Sequence, residues 1–300
     1  MTFARDIITL LKPRITLMVL FTAAAGLYLA PVPVEPRRSL YLLLGTVLVV
    51  AGANALNMYL EREIDGRARR TRNRPLPAGR LSPAVALWVG LLLGLGALPL
   101  LAFGVNLLTG LLGLLALITY VAVYTPMKQR SSGALVVGAV PGAMPPLMGW
   151  TAATGRLDLA GIALFAIMFL WQLPHFLAIT LYRGDDYHSA GYKITATEHG
   201  TLTAKMQIVL YLAALTPVTL VLVPLGVGGP LYLWTALLAG LGFFFVGLCG
   251  LRRAAGLRWA RTLFSVSLLY LTVLMVALVV GQAMNGTEDA AALLAGARSS

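Results

Sequence analysis

Charge is scarce in this sequence: Asp, Glu, Lys and Arg make up 11% of its 300 residues, against about 25% in soluble chains. Acid is the scarcer half, with 11 Asp+Glu against 23 Lys+Arg and a net charge of +12. There is one cysteine, Cys249, so a disulfide framework is excluded. So apolar a chain is not disordered, and 300 residues do not bury a 59% hydrophobic complement in a soluble core. No G-x-x-x-x-G-K-[ST] occurs, which argues against a nucleotide-driven pump. What the chain does have is long apolar runs. It reads as an all-α polytopic membrane protein.

A helix needs about 20 apolar residues to cross a bilayer. Nine segments come near that: 15–30, 40–60, 84–103, 107–123, 134–153, 159–181, 208–225, 231–251 and 262–283. Turn residues separate them at 31–33, 104–106 and 226–230. No small-residue cleavage site follows the first segment, which therefore reads as a span and not as a removable signal. Residues 1–300 read as one domain, with its core over about 12–283 and 285–300 as a small, flexible tail.

Nineteen of the 23 basic residues fall on one side of these spans. Arg5, Lys12 and Arg14 precede the first span. Arg62, Arg67, Arg69, Arg70, Arg72, Arg74 and Arg80 follow the second. Lys128 and Arg130, then Arg183, Lys193 and Lys205, and finally Arg252, Arg253, Arg258 and Arg261 sit in later loops on that side. Only Arg37, Arg38, Arg156 and Arg298 lie opposite. The positive-inside rule then puts the N-terminus and these loops in the cytoplasm and the C-terminus outside. Arginines dispersed over loops do not make a nucleic-acid surface.

Five of the 11 acids lie in two places: Glu61, Glu63 and Asp65 after the second span, Asp185 and Asp186 after the sixth. An acid in a short loop is usually only solvated. Here, however, Asn57, Glu61 and Asp65 recur every four residues and share one helix face. A carboxamide and two carboxylates are hard oxygen donors, suited to Mg²⁺ shared with phosphate oxygens. Arg72, Arg74, Lys128 and Arg130 lie close by in sequence or on the same side, able to neutralise a diphosphate. Both acidic clusters are expected to face one cytoplasmic site, with an apolar substrate tail between the helices.

The run Asn57-Met58-Tyr59-Leu60-Glu61-Arg62-Glu63-Ile64-Asp65, followed by Arg70-Thr71-Arg72-Asn73-Arg74-Pro75-Leu76-Pro77, resembles the first motif of the UbiA intramembrane prenyltransferases. Met58 and Glu61 stand where that motif usually has aspartate. The second cluster is read with Trp171-Gln172-Leu173-Pro174-His175-Phe176, then Tyr182-Arg183-Gly184-Asp185-Asp186-Tyr187 and Ala190-Gly191. It looks like the branch of the family whose acceptor is haem. Lys12-Pro13-Arg14, Tyr124-Thr125-Pro126-Met127-Lys128-Gln129-Arg130 and residues 142–150 also fit that branch.

The resemblance implies a nine-helix bundle around a central cavity, in a bacterial plasma membrane. It implies transfer of farnesyl from farnesyl diphosphate to a vinyl group of haem b, with water addition. Asn57, Glu61 and Asp65 would hold one Mg²⁺, Asp185 and Asp186 a second. Arg72, Arg74, Arg130 and Lys128 would clamp phosphate, with Tyr124 beside them. A haem O oxidase (haem A synthase) is the expected partner.

A lone histidine in a helix is usually a packing residue, but polar groups within a span are costly and tend to be functional. His175 is therefore a candidate axial ligand of the haem substrate, or a general base or orienting group. Trp171 would pack on the porphyrin, or serve as plain core. No Cys-x-x-Cys-His occurs, so haem is not held covalently. The rival readings are a relative that prenylates an aromatic ring and a secondary transporter. A transporter is expected to carry its charges near the bilayer midplane, not at one mouth.

Overall fold

The computed structural model describes residues 3–68 and 71–298, with 285–298 described by backbone alone. Arg69 and Arg70, and the side chains of the expected tail, lie outside the described residues. All regular structure among them is helical. The helices are α1 (Phe3–Leu11), α2 (Pro13–Tyr28), α3 (Pro36–Asp65), α4 (Pro83–Gly104), α5 (Leu107–Met127), α6 (Ala134–Thr154), α7 (Leu159–Tyr182), α8 (Gly184–Ser189), α9 (Thr195–Glu198), α10 (Thr201–Leu220), α11 (Pro230–Cys249) and α12 (Leu257–Arg298).

Local sequence explains the boundaries. Pro36, Pro83 and Pro230 open their helices, where a missing N–H costs nothing. Asn106 and Asp158 cap theirs, accepting the N–H of Thr109 at 2.8 Å and of Gly161 at 3.0 Å. Eight helices are long and apolar enough to cross a membrane on their own. The ninth expected span, α2, passes that test only together with α1, from which it is bent by 41°. The bend is at Lys12, the one residue other than glycine with positive φ (49°) among the described residues. Pro13 disfavours the right-handed helix there.

Burial orders the bundle. In their most apolar stretches α3, α6 and α7 are 56%, 61% and 61% buried, whereas α4, α10 and α11 are 28%, 22% and 28% buried. The first three are therefore the inner helices, and they carry Asn57, Gln172 and His175. The outer ones present residues such as Leu92 and Phe103 to the surroundings, as lipid contact requires.

The α2–α6 crossing is made at backbone level. A Cβ on Gly26 would collide with the Pro146 carbonyl, and one on Gly149 with the Ala23 carbonyl. Small residues allow that approach, the usual packing device within a bilayer. Two large apolar clusters result, one centred on α7, α10, α11 and α12, the other on α3 to α6.

Candidate active site

Asn57, Glu61 and Asp65 occupy the last turns of α3 and are 2%, 3% and 2% exposed. Each faces a cationic side chain. The Lys12 ammonium donates to Asn57 Oδ1 at 3.2 Å. Lys128 Nζ lies 2.5 Å from Glu61 Oε1, and Arg74 Nη1 donates to Asp65 Oδ2 at 2.6 Å. Buried carboxylates are tolerable only when paired in this way. Burial, and then the neighbouring Arg74 and Lys128, pull the Lys12 ammonium down to about 7. Lys12 thus brings a cation to the mouth from the elbow between α1 and α2. That elbow is fixed from outside by Arg80, whose guanidinium grips buried Asp6 of α1 at 3.2 Å.

The opposite wall is the end of α5. Pro126 has no N–H, and its ring would crowd the carbonyl four residues back. The helix responds by widening to a π-helix over Thr119–Tyr124, a distortion frequent at functional sites. In that register both the N–H and the hydroxyl of Thr125 reach the Tyr120 carbonyl, the hydroxyl at 2.8 Å. Thr125 Oγ1 also accepts from Asn57 Nδ2 at 3.1 Å. The widened turn therefore orients the Asn57 amide, leaving its oxygen toward Lys12. One turn on, Lys128 lies 4.6 Å from the Tyr124 ring.

The second loop packs against this cluster. Lys193 N–H donates to the Lys128 carbonyl at 2.9 Å, and Glu198 accepts the Ser132 N–H at 2.8 Å. Ala190 and Tyr192 pack on Ile64 and Ala68. Burial and the carboxylates of Glu61 and Asp65 push the Tyr192 phenol pKa upward.

The structure thus brings together Asn57, Glu61, Asp65, Arg74, Lys128 and Tyr124. Arg72 and Arg130 are exposed at the rim. Asp185, on α8, lines a separate cavity, and no group of three or more metal-binding His, Cys, Asp or Glu side chains forms among the described residues. Sequence reasoning assigned no role to Lys12, Tyr192 or Thr125. A lysine immediately before Pro13 and the first span was the available signal for Lys12.

His175, on α7, is clamped between rings, stacked with Trp171 at 4.9 Å and tilted against Phe264 at 4.8 Å. Trp171, considered above as a porphyrin contact, gives a face to His175 and donates its indole N–H to the Ser267 carbonyl at 2.7 Å. Ser267 Oγ donates to the Phe264 carbonyl at 2.6 Å and lies 2.6 Å from His175 Nδ1. With its proton committed to Phe264, the hydroxyl accepts from Nδ1–H. The imidazole therefore carries its lone pair on Nε2. A serine inside an otherwise apolar span was the signal for Ser267. Pro174 leaves α7 unbroken from Leu159 to Tyr182.

Residues 19–269 match the UbiA prenyltransferase family. A protein from Anaeromyxobacter sp. (strain Fw109-5) named protoheme IX farnesyltransferase is 54% identical over 279 residues, 93% of this chain and 94% of that protein. One of the same name from Myxococcus xanthus (strain DK1622) is 52% identical, over 92% of this chain and 94% of its own. Among solved structures, a digeranylgeranylglyceryl phosphate synthase superposes with a TM-score of 0.81 at 15% identity, covering 93% of this chain and 98% of that one. A UbiA homolog from Archaeoglobus fulgidus bound to GPP and Mg²⁺ does so with a TM-score of 0.68 at 16% identity, covering 91% and 99%. At such identities the likeness is one of fold.

Proposed function

The chain belongs to the UbiA prenyltransferase family, and we propose that it farnesylates haem b, with water addition, to give haem O and diphosphate. The acceptor is supported by relatives named protoheme IX farnesyltransferase that are more than half identical over nine-tenths of the chain. One observation carries the chemistry: three buried oxygen-bearing side chains on one face of α3, each held by a cation.

In the reaction, the allylic C1–O bond of farnesyl diphosphate breaks and its electron pair leaves with diphosphate. C1 bonds to the terminal vinyl carbon of haem. A water oxygen then bonds to the inner vinyl carbon and loses a proton. The difficult step is the development of charge on the leaving group within an apolar bundle.

Two carboxylates and an amide oxygen fit a Mg²⁺ ion that keeps other positions for phosphate oxygens and water. Asn57, Glu61 and Asp65 would hold it. Bound there, the ion supplies electrostatic stabilisation of the departing diphosphate. In the structure Lys12, Lys128 and Arg74 satisfy those same three groups. Lys12, Lys128 and Arg74 would also be within reach of phosphate oxygens, to which Arg offers a planar fork and Lys a point charge. Arg72 and Arg130, exposed at the rim, steer the anion toward the mouth. Tyr124 shields the ammonium of Lys128. Asp185 and Asp186, on α8, would serve a second ion. His175 offers Nε2 to the haem iron, or to the proton that water releases. The farnesyl tail lies among the inner helices.

The charged mouth faces the cytoplasm of a bacterium and the C-terminus lies outside, in keeping with the basic loops. A membrane-bound product favours direct hand-over to a haem O oxidase. The test is purified protein in detergent with haem b, farnesyl diphosphate and Mg²⁺, the haem product being identified by mass. Farnesylated haem is expected. Prenylation of 4-hydroxybenzoate with unmodified haem would overturn the assignment.

A further inference from the structure

Lys205 is a buried cation that the chemistry above does not use. It lies in the second turn of α10 and is 9% exposed. Its ammonium donates to the Ala255 carbonyl at 2.7 Å and lies 5.6 Å from the Trp259 ring. Both contacts position the charge, and neither neutralises it. Among the described residues every ion pair involves Arg62, Arg74, Arg80 or Lys128, none Lys205. A buried ammonium held by a carbonyl and a ring has no counter-ion of its own and is available to an anion.

Beside it opens a cavity of about 410 Å³. Lys205, Thr197, Thr201 and Trp259 line it, together with Asp185 and His188 of α8. The latter two are exposed, so water screens them in part. The buried ammonium sets the sign of the cavity, and Asp185 limits how much negative charge it accepts. A single carboxylate fits that balance, and a diphosphate does not. The three cations placed for diphosphate stand at the end of α3 instead.

We propose that this cavity is a carboxylate subsite in which Lys205 holds a propionate of the haem acceptor. The inference rests on the haem reading of the reaction. Haem carries both carboxylates on one edge, and a protein that buries the macrocycle among helices must turn that edge to a polar mouth. The path between cavity and imidazole is a single helix face. Ala260 of α12 lines the cavity, while Phe264 and Ser267, four and seven residues on, touch His175. Those spacings keep one face and span about 10 Å. Porphyrin iron and propionate edge can therefore be served from one stripe of α12.

The experiment compares haem b with its dimethyl ester, which removes both charges and keeps the ring. Each is titrated by absorption into the full-length protein in detergent. The wild type is expected to bind the ester about tenfold more weakly. Lys205→Gln keeps a donor for the Ala255 carbonyl and is expected to bind haem as weakly as the ester. Lys205→Arg should restore the preference. Equal affinity of the wild type for haem and ester overturns the subsite without any variant. So does an undiminished preference in Lys205→Gln. If Lys205→Gln instead alters only competition by added phosphatidylglycerol, the cavity holds a lipid headgroup and the proposal falls. A wild type that binds no haem at all would fell the acceptor reading itself, an outcome distinct from haem bound without preference.

Discussion

Asp65 has a side chain 3% exposed, with the Arg74 guanidinium 2.6 Å from its Oδ2. Asp65→Asn removes a metal-binding charge and leaves Arg74 facing an amide. Turnover of farnesyl diphosphate and haem is expected to fall at least about 100-fold, the scale of losing a preorganised electrostatic group. Membrane insertion should be unchanged, and activity within tenfold of wild type would refute the role. Ser267→Ala leaves the Nδ1–H of His175 without its acceptor, a loss of about 1–3 kcal/mol for a buried donor. The expected signature is a shifted haem absorption spectrum that Ser267→Thr restores; an unchanged spectrum would remove Ser267 from the site. The face of Asn57, Glu61 and Asp65 was legible because its members recur every four residues. Ser267 meets His175 across 92 positions of sequence and Arg80 meets Asp6 across 74, separations that no local period encodes.

Helices show the same division between pattern and contact. Apolar runs located the spans, and the breaks at 104–106 and 226–230 fall where α5 and α11 begin. The elbow at Lys12 and the widening of α5 are backbone responses to Pro13 and Pro126, and a proline in the sequence marks the place of a distortion but not its form. The α2–α6 crossing yields a test. Gly26→Ala and Gly149→Ala place a methyl against a facing carbonyl, and overpacking of this kind costs about 1–3 kcal/mol. Both should lower the melting temperature in detergent. Gly242→Ala, on α11 with nothing near its Cβ, should leave it unchanged or slightly raised. Equal effects at all three positions would show that the crossing is not made at backbone level.

For the molecule as a whole, the sequence divided 23 basic residues between two sides; the structure shows that Lys12, Arg74 and Lys128 also meet buried oxygens at one end of the bundle. Those contacts constrain the order in which ligands arrive. Arg74 and Lys128 cancel Asp65 and Glu61, and Lys12, whose proton is loosely held, adds at most one positive charge. Mg²⁺ alone would leave the mouth at least doubly positive. A prenyl diphosphate alone would bring roughly three negative charges, since phosphate has a second pKa of about 6. Calorimetry should accordingly find weak binding of Mg²⁺ by itself, tightened at least about tenfold by diphosphate; equally tight binding without the anion would contradict the arrangement. Counted over the buried groups alone, ion and diphosphate together, with Lys12 protonated, sum to electroneutrality, so the resting ion pairs act as a gate that favours the complex over either component alone.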